Sequence, residues 1–272
     1  MKIQAPPPLL SIAGSDPVAG AGIQADLRAF DRMGFYGLGV VTAITAQNTS
    51  GVKRIYPLAA AEVGEQLRTL LADVRPRAMK TGMLATAAIA GVVADIIAGA
   101  GEEAPLVVDP VLASTGGAGL GEPGLAPAIR ELLLPLCRVV TPNLDEAAAL
   151  TGTAVRSIDG AREAALKLVE MGAGAACVTG GHLDGDPADV LYDGEKLTVI
   201  RGRRAGTARD YHGTGCLFSA ALAALLAGGR PLVEAAAAAH KYVAAAIEAA
   251  VAPGGGLATP WPPRLEPAGG NL

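Results

Sequence analysis

Residues 106–111 read LVVDPV, and this run decides how the chain folds. A strand with one face in water alternates apolar and polar side chains. This one is apolar at successive positions, so both of its faces are covered, the condition met in a parallel sheet with helices on either side. The run then meets Asp109 and Pro110, which places a carboxylate at the strand's carboxyl end.

Outward from this strand the same unit repeats. On the N-terminal side, LLSIAG (9–14) is a short apolar run ended by glycine. In GIQADLRAFDRMG (22–34), Ile23, Leu27, Phe30 and Met33 then recur at helical spacing before Gly34. LGVVTAIT (38–45) is strand-like, AEVGEQLRTLLADV (61–74) an amphipathic helix, RAMKTGM (77–83) a short strand running into a turn, and 86–99 a helix. On the C-terminal side, CRVVTPN (137–143) is a strand closed by proline, with helices over 143–151 and 159–171. AACVTGG (175–181) is the next strand, and DVLYDGEKLTVI (189–200) is a hairpin about Asp193-Gly194. Alanine-rich helices over 214–227 and 231–251 complete the pattern. The alternation predicts an α/β fold with a mostly parallel central sheet, helices on both faces and a small antiparallel hairpin near one edge. It forms a single domain over 9–251, between an extension (1–8) and a Pro/Gly-rich, irregular tail (252–272). Ligands of such sheets sit beyond the carboxyl ends of the strands.

Composition narrows the function. A chain of 272 residues, 51% hydrophobic and 18% charged, supports one large core. A net charge of −4 with scattered Lys and Arg provides no basic patch for a phosphate backbone, so nucleic acid is excluded as a partner. Cys137, Cys177 and Cys216 lie far apart, with no CxxC pair and no histidines at metal spacing, which suits a reducing cytoplasm. The N-terminus MKIQAPPPLL has no apolar signal core, and no apolar run reaches the roughly 18 residues of a membrane span. The expectation is a soluble cytoplasmic protein.

Two glycine turns carry the chemistry. Gly20-Ala21-Gly22-Ile23-Gln24-Ala25 fits the loose dinucleotide pattern G-x-G-x-x-A. SDPVA separates it from its strand, however, and the next strand ends near Gln47 instead of at a ribose-binding acid, which argues against a dehydrogenase. Gly213-Thr214-Gly215-Cys216 opens a buried helix. There the unpaired N–H groups and the helix dipole form an anion hole, and the same field is expected to lower the Cys216 thiol pKa.

Taken in order, SIAGSDPVAGAGIQADLRAF, TAITAQNTSGV, KTGML, VVDPVLAS, TPNLDEAAAL, GGH and HGTGC resemble the hydroxymethylpyrimidine/phosphomethylpyrimidine kinases of thiamine biosynthesis, in the ribokinase-like superfamily, over residues 9–251. The resemblance implies a ribokinase-like three-layer α/β/α fold. The reaction it implies is ATP-dependent phosphorylation of 4-amino-5-hydroxymethyl-2-methylpyrimidine, and of the monophosphate to the diphosphate, with Mg²⁺ and in a homodimer. Pyridoxal kinases of similar build are the alternative, and a non-catalytic pyrimidine-binding homologue is a third.

Residue by residue, the resemblance assigns Gly213, Thr214 and Gly215 to the anion hole and Cys216 to the position where related enzymes carry an aspartate base. It points to Gly14, Ala21, Asp26, Thr45, Gln47 and Met83 for the pyrimidine. Gln47 suits an aminopyrimidine edge because one amide both donates and accepts; Asp26 could equally cap its helix, and Met83 could equally fill core. Asp109, Asn143, Thr179, Gly181 and Arg209 fall to the nucleotide, and Asp109 and Glu146 to the metal. Asn143 and Glu146 also have the spacing of a capping box. Where the family commonly reads Lys-Gly-Gly-His, this chain has Thr179-Gly180-Gly181-His182, so a cation is missing, and Arg209 is the candidate substitute. Asp210-Tyr211 stands where the family often has Asn-Thr. His182 and His212 belong to motifs near the site, and His240 is expected to be a packing or surface residue.

Overall fold

The central parallel strands of the sheet are short and their side chains point alternately to two different cores. This is the physical content of an uninterrupted apolar run such as 106–108. The computed structural model describes residues 5–100, 104–113, 119–181, 183, 185–205 and 210–265. Among them the strands are β1 (Pro8–Ser15), β2 (Tyr36–Asn48), β3 (Gly51–Pro57), β4 (Met79–Thr81), β5 (Leu106–Val108), β6 (Val139–Val140), β7 (Ala176–Val178), β8 (Ala188–Tyr192) and β9 (Leu197–Arg201). They form one sheet in the order β3-β2-β1-β4-β5-β6-β7-β8-β9. Pairing is parallel from β2 across to β7, and antiparallel at β2/β3, β7/β8 and β8/β9.

The helices are α1 (Gly22–Arg32), α2 (Ala60–Asp73), α3 (Ala87–Ala100), α4 (Leu125–Ala128), α5 (Leu144–Thr151), α6 (Ile158–Glu170), α7 (Thr214–Ala227) and α8 (Leu232–Glu248). After α4 the chain continues through a π turn (Ile129–Leu133) and a 3-10 turn (Leu134–Leu136), where Pro135 breaks regular hydrogen bonding. One core joins Leu9, Val107, Val139 and Cys177 of the sheet to α1, α7 and α8. The other joins Leu10, Val108, Val140 and Val178 to helices α2 to α6. The result is the three-layer ribokinase-like α/β/α fold. No helix among the described residues is long and apolar enough to cross a membrane.

Three departures from the sequence reading have clear causes. The second antiparallel margin, β3, was not expected, because its burial pattern is almost wholly exposed and it carries Lys53 and Arg54, so it has no apolar face. The extension at 1–8 gives up Pro8 to β1, and the Pro7 carbonyl accepts from Tyr36 N. The tail beyond 251 forms no helix among the described residues, yet it is tied down. Leu257 N donates to the Thr49 carbonyl, Trp261 N to Ala246, Leu265 N to Arg32, and the Tyr242 hydroxyl to Pro263. Arg28 also lies 4.8 Å over the Trp261 ring.

Phe30 is the largest fully buried side chain, packed where α1 meets the sheet. Phe30→Ala is expected to cost about 3–5 kcal/mol through lost transfer energy plus a cavity, read as a lower midpoint in urea unfolding followed by circular dichroism.

Candidate active site

A cleft of about 1040 Å³ opens along the carboxyl ends of β1, β4, β5, β6 and β7. It straddles β1 and β4, where the connections diverge to the two sides of the sheet, the position at which open α/β sheets bind ligands. Gly14, Ala21, Thr45, Gln47, Met83, Asp109, Asn143, Glu146, Thr179, Gly181, Gly213, Thr214, Gly215 and Cys216 all line it.

The start of α7 is one wall. Gly213 is its N-cap in a left-handed conformation (φ 90°), and no side chain caps the helix. A Cβ at Gly213 would collide with the Gly20 carbonyl, so only glycine lets this turn press against the β1–α1 loop. The free N–H groups of the first turn are therefore left to a ligand. Cys216 is half-buried there. Its thiol is pushed up to about 12: burial acts most strongly against the thiolate, Lys80 favours it, and Asp109 and Asp26 oppose it. This runs against the sequence expectation of a lowered pKa: burial is the largest influence, and Lys80 and the Gly22 N–H only partly offset it.

Beneath Cys216 lies a charge network that the sequence reading missed. Lys80, on β4, is fully buried, and its Nζ lies 2.9 and 2.8 Å from the two Asp26 oxygens and 3.6 Å from Asp109 Oδ2. Burial opposes its charge, but Asp26, which accepts two hydrogen bonds from it, and Asp109 outweigh burial and the net shift is upward. Ser11 donates to Asp26 at 2.6 Å, and Ser219 on α7 donates to Asp109 at 2.8 Å. Asp26 is thus a correction: it is fully buried, is not among the residues that line the cleft, and pairs with Lys80.

Asp109 and Glu146 face the cleft, both nearly buried. Burial raises Asp109, with Lys80 and Ser219 pulling it back. Burial, and then Asp109, push Glu146 up to about 8. Asn143 and Glu146 complete the capping box, Asn143 Oδ1 accepting from Glu146 N and Glu146 Oε2 from Asn143 N, each at 2.9 Å. Among the described residues no three His, Cys, Asp or Glu side chains converge as a metal cage. Two carboxylates lining the cleft suit Mg²⁺, which keeps waters and takes phosphate oxygens.

At the β1 end, Asp16 accepts from Val18 N, Gly20 N and Ala21 N and lies 2.8 Å from His212 Nε2. Burial alone would raise its pKa, but the His212 and backbone hydrogen bonds outweigh burial and hold the carboxyl below its usual range. The Gln47 amide lies between Thr45 Oγ1, at 3.2 Å, and His212 Nε2, at 3.0 Å. Met83 forms the floor; its methyl occupies the space a Cβ on Gly14 would need.

At the other end, Thr179 is bridged to Asn143, and Gly180 N donates to Asp189 Oδ1 at 3.0 Å. Asp189 Oδ2 accepts from His240 Nδ1 at 2.6 Å. His240 is thereby corrected from a packing or surface residue to a cleft residue that steadies the Gly180-Gly181 turn. Arg204 holds the same loop through the carbonyls of Gly181, Leu183 and Gly185. Arg209 and His182 lie outside the described residues; Arg156 and Arg203 are described cations that border the cleft and are exposed.

The profile of the family described as phosphomethylpyrimidine kinase matches residues 16–261. The hydroxymethylpyrimidine/phosphomethylpyrimidine kinase of Rhizobium meliloti (strain 1021) is 47% identical over 244 residues, covering 89% of this chain and 90% of that protein. Among solved structures, the ADP complex of Bacillus subtilis pyridoxal kinase superposes with a TM-score of 0.86 at 36% identity, covering 94% of this chain and 97% of that one. The phosphomethylpyrimidine kinase of Clostridium difficile 630 superposes with a TM-score of 0.76 at 34% identity, covering 87% and 97%.

Lys80→Met leaves Asp26 buried without its counter-charge and is expected to cost about 3–5 kcal/mol, part of which returns in the double variant Lys80→Met/Asp26→Leu; chemical denaturation of the three proteins measures this. Hydrogen bonding to Asp189 raises the His240 pKa against the effect of burial. A raised pKa contributes stability fully below the unfolded value of about 6.5 and loses it as pH rises through the folded value. The melting-temperature gap between wild type and His240→Asn should therefore be widest in acid and narrow towards pH 8.

Proposed function

The chain belongs to the phosphomethylpyrimidine kinase family and is a phosphotransferase, and from that premise we propose that it transfers the γ-phosphoryl group of ATP to the hydroxymethyl oxygen of 4-amino-5-hydroxymethyl-2-methylpyrimidine, and then to the resulting monophosphate. The observation that carries this reading is one cleft holding, at one end, an amide able to donate and accept, Gln47, and beside it an uncapped helix start with Cys216. Pyrimidine recognition falls to Gly14, Ala21, Thr45, Gln47 and Met83. The phosphates fall to the Gly213–Cys216 turn, and the nucleotide to Asn143, Thr179 and Gly181.

In this reading Cys216 meets the substrate hydroxyl as a thiol and holds its oxygen in line with the γ-phosphorus; as the new O–P bond forms, the bond from phosphorus to the β-phosphate oxygen breaks to release ADP, and the hydroxyl proton passes to an oxygen of the transferred phosphoryl group. Phosphoryl transfer passes through a loose transition state and depends mainly on positioning and charge stabilisation, so a pre-formed thiolate is not required. Asp109 and Glu146 would hold Mg²⁺, largely through water, and the bound ion would neutralise phosphate charge. Lys80 stays buried below them as fixed positive charge. With threonine at 179, the cation near the phosphates comes from the loop that precedes the anion hole, with Arg209 and the exposed Arg203 as its candidates. A homodimer is supported by the exposed Ile44 and Tyr56, which are cross-strand neighbours on β2 and β3. The setting is the cytoplasm.

The likeness to pyridoxal kinases supports a second reading, phosphorylation of a vitamin B6 alcohol at the same cleft. ADP release with ATP and Mg²⁺, measured separately on the hydroxymethylpyrimidine, its monophosphate, pyridoxal and pyridoxine, decides between them. Turnover on both pyrimidines is expected; preference for the B6 alcohols selects the second reading, and silence on all four selects a binding protein. Cys216→Ala is expected to lose about 10²-fold or more in kcat. Cys216→Ser retains a larger share if the thiol positions the hydroxyl, and falls as far as alanine if a thiolate base is needed.

A further inference from the structure

The hydrogen bonds around Gln47 conflict in a way that reveals its orientation. Asp16 is held ionised by the hydrogen bonds it accepts, and an ionised carboxylate only accepts. His212 Nε2, 2.8 Å from Asp16 Oδ2, therefore carries a proton. The amide atom of Gln47 placed 3.0 Å from that same nitrogen is Nε2, a donor, so two donors face each other. On the amide's other side, the Thr45 hydroxyl would have to give its one proton both to the Ser15 carbonyl at 3.0 Å and to Gln47 Oε1 at 3.2 Å.

A half-turn of the amide, which leaves its shape unchanged, turns the donor–donor contact into a donor–acceptor one, the single His212 N–H being shared between Asp16 and Gln47, and frees the Thr45 proton for Ser15. The Gln47 carbonyl then accepts from His212, and its NH₂ donates to Thr45, whose own proton goes to Ser15. One N–H and one carbonyl lone pair of Gln47 remain for a ligand, in a fixed order. His212 is itself held firmly, with its backbone N–H on the Ala258 carbonyl and its ring filling the space beside Gly20.

The order matters chemically. An aminopyrimidine edge presents a ring-nitrogen acceptor beside an amino donor, whereas the corresponding pyrimidinone presents a ring N–H donor beside a carbonyl acceptor. An amide free to turn reads both equally; with the ring held one way round by its hydroxymethyl group at the Gly213–Cys216 turn, an amide locked in one sense reads one. Given the pyrimidine reading of this cleft, we infer that His212, with Thr45, is a positioning residue that locks the Gln47 amide and so selects a 4-aminopyrimidine over its 4-oxo counterpart. Each end of the lock is a side chain from a different strand or turn, so the selection is a property of the assembled site.

The test is calorimetric binding, without ATP, of 4-amino-5-hydroxymethyl-2-methylpyrimidine and of its 4-oxo counterpart to wild type, His212→Phe, Thr45→Val and Thr45→Ser. Wild type is expected to favour the amino compound about tenfold or more, the scale of one net hydrogen bond. That ratio should fall towards one in His212→Phe and in Thr45→Val and be retained in Thr45→Ser, a readout that a general loosening of the cleft does not produce. Equal weakening of both compounds in the two disruptive variants overturns the inference, as does a wild type that binds both compounds equally. A wild type that binds neither pyrimidine overturns the functional reading beneath it. If His212→Phe does not fold, the near-isosteric Thr45→Val and Thr45→Ser pair decides alone.

Discussion

A single ammonium group, Lys80 Nζ, is buried with no access to solvent, and the centre of the molecule is arranged to accommodate it. A buried charge is tolerated only when it is paired and hydrogen-bonded, so α1 must deliver Asp26 and the end of β5 must deliver Asp109 to the same point. Asp109 in turn draws in Ser219, which sets the start of α7 over the sheet. The uncapped helix turn that faces the cleft is positioned from below by this network. Burial acts most strongly on Cys216 and raises its thiol pKa, beside one buried cation that favours the thiolate and two carboxylates that oppose it.

The two ends of the cleft are held by different means. At the β1 end, Asp16 gathers the N–H groups of its own loop and reaches His212, which joins the anion-hole turn to β2 through Gln47. The C-terminal segment closes behind this cluster, with Ala258 accepting from His212 and Trp261 lying against α1. At the other end, Asp189 joins Gly180 to His240 on α8, and Arg204 spends its guanidinium on carbonyls of the adjacent loop. Short glycine-containing loops are thus given one shape by charged side chains from elements distant in sequence.

A fold shared with kinases of two different vitamins puts the burden of specificity on these loops. The catalytic requirements, an anion hole and carboxylates at strand ends, are common to any alcohol phosphorylated in such a cleft. What differs is the hydrogen-bond pattern offered to the ring, which in the reading proposed for this chain falls to Gln47 and its neighbours.

The amino-acid sequence by itself determined the layers, the parallel centre of the sheet and the stations of the chemistry, because doubly covered strands, amphipathic helices and glycine turns are local patterns with periodic signatures. LVVDPV, the capping box at Asn143 and the Gly213–Cys216 turn are legible for that reason. β3 was not, because an exposed edge strand carrying Lys53 and Arg54 has no apolar period, and the region after α4 was not, because Pro135 interrupts the helical one. Only the tertiary structure decided that Asp26 pairs with Lys80, that His240 and Asp189 line the cleft, and that burial raises the Cys216 thiol. Each of these depends on which charges and hydrogen-bond donors lie within a few ångströms in space, and electrostatic environment and donor direction have no signature in a single stretch of chain.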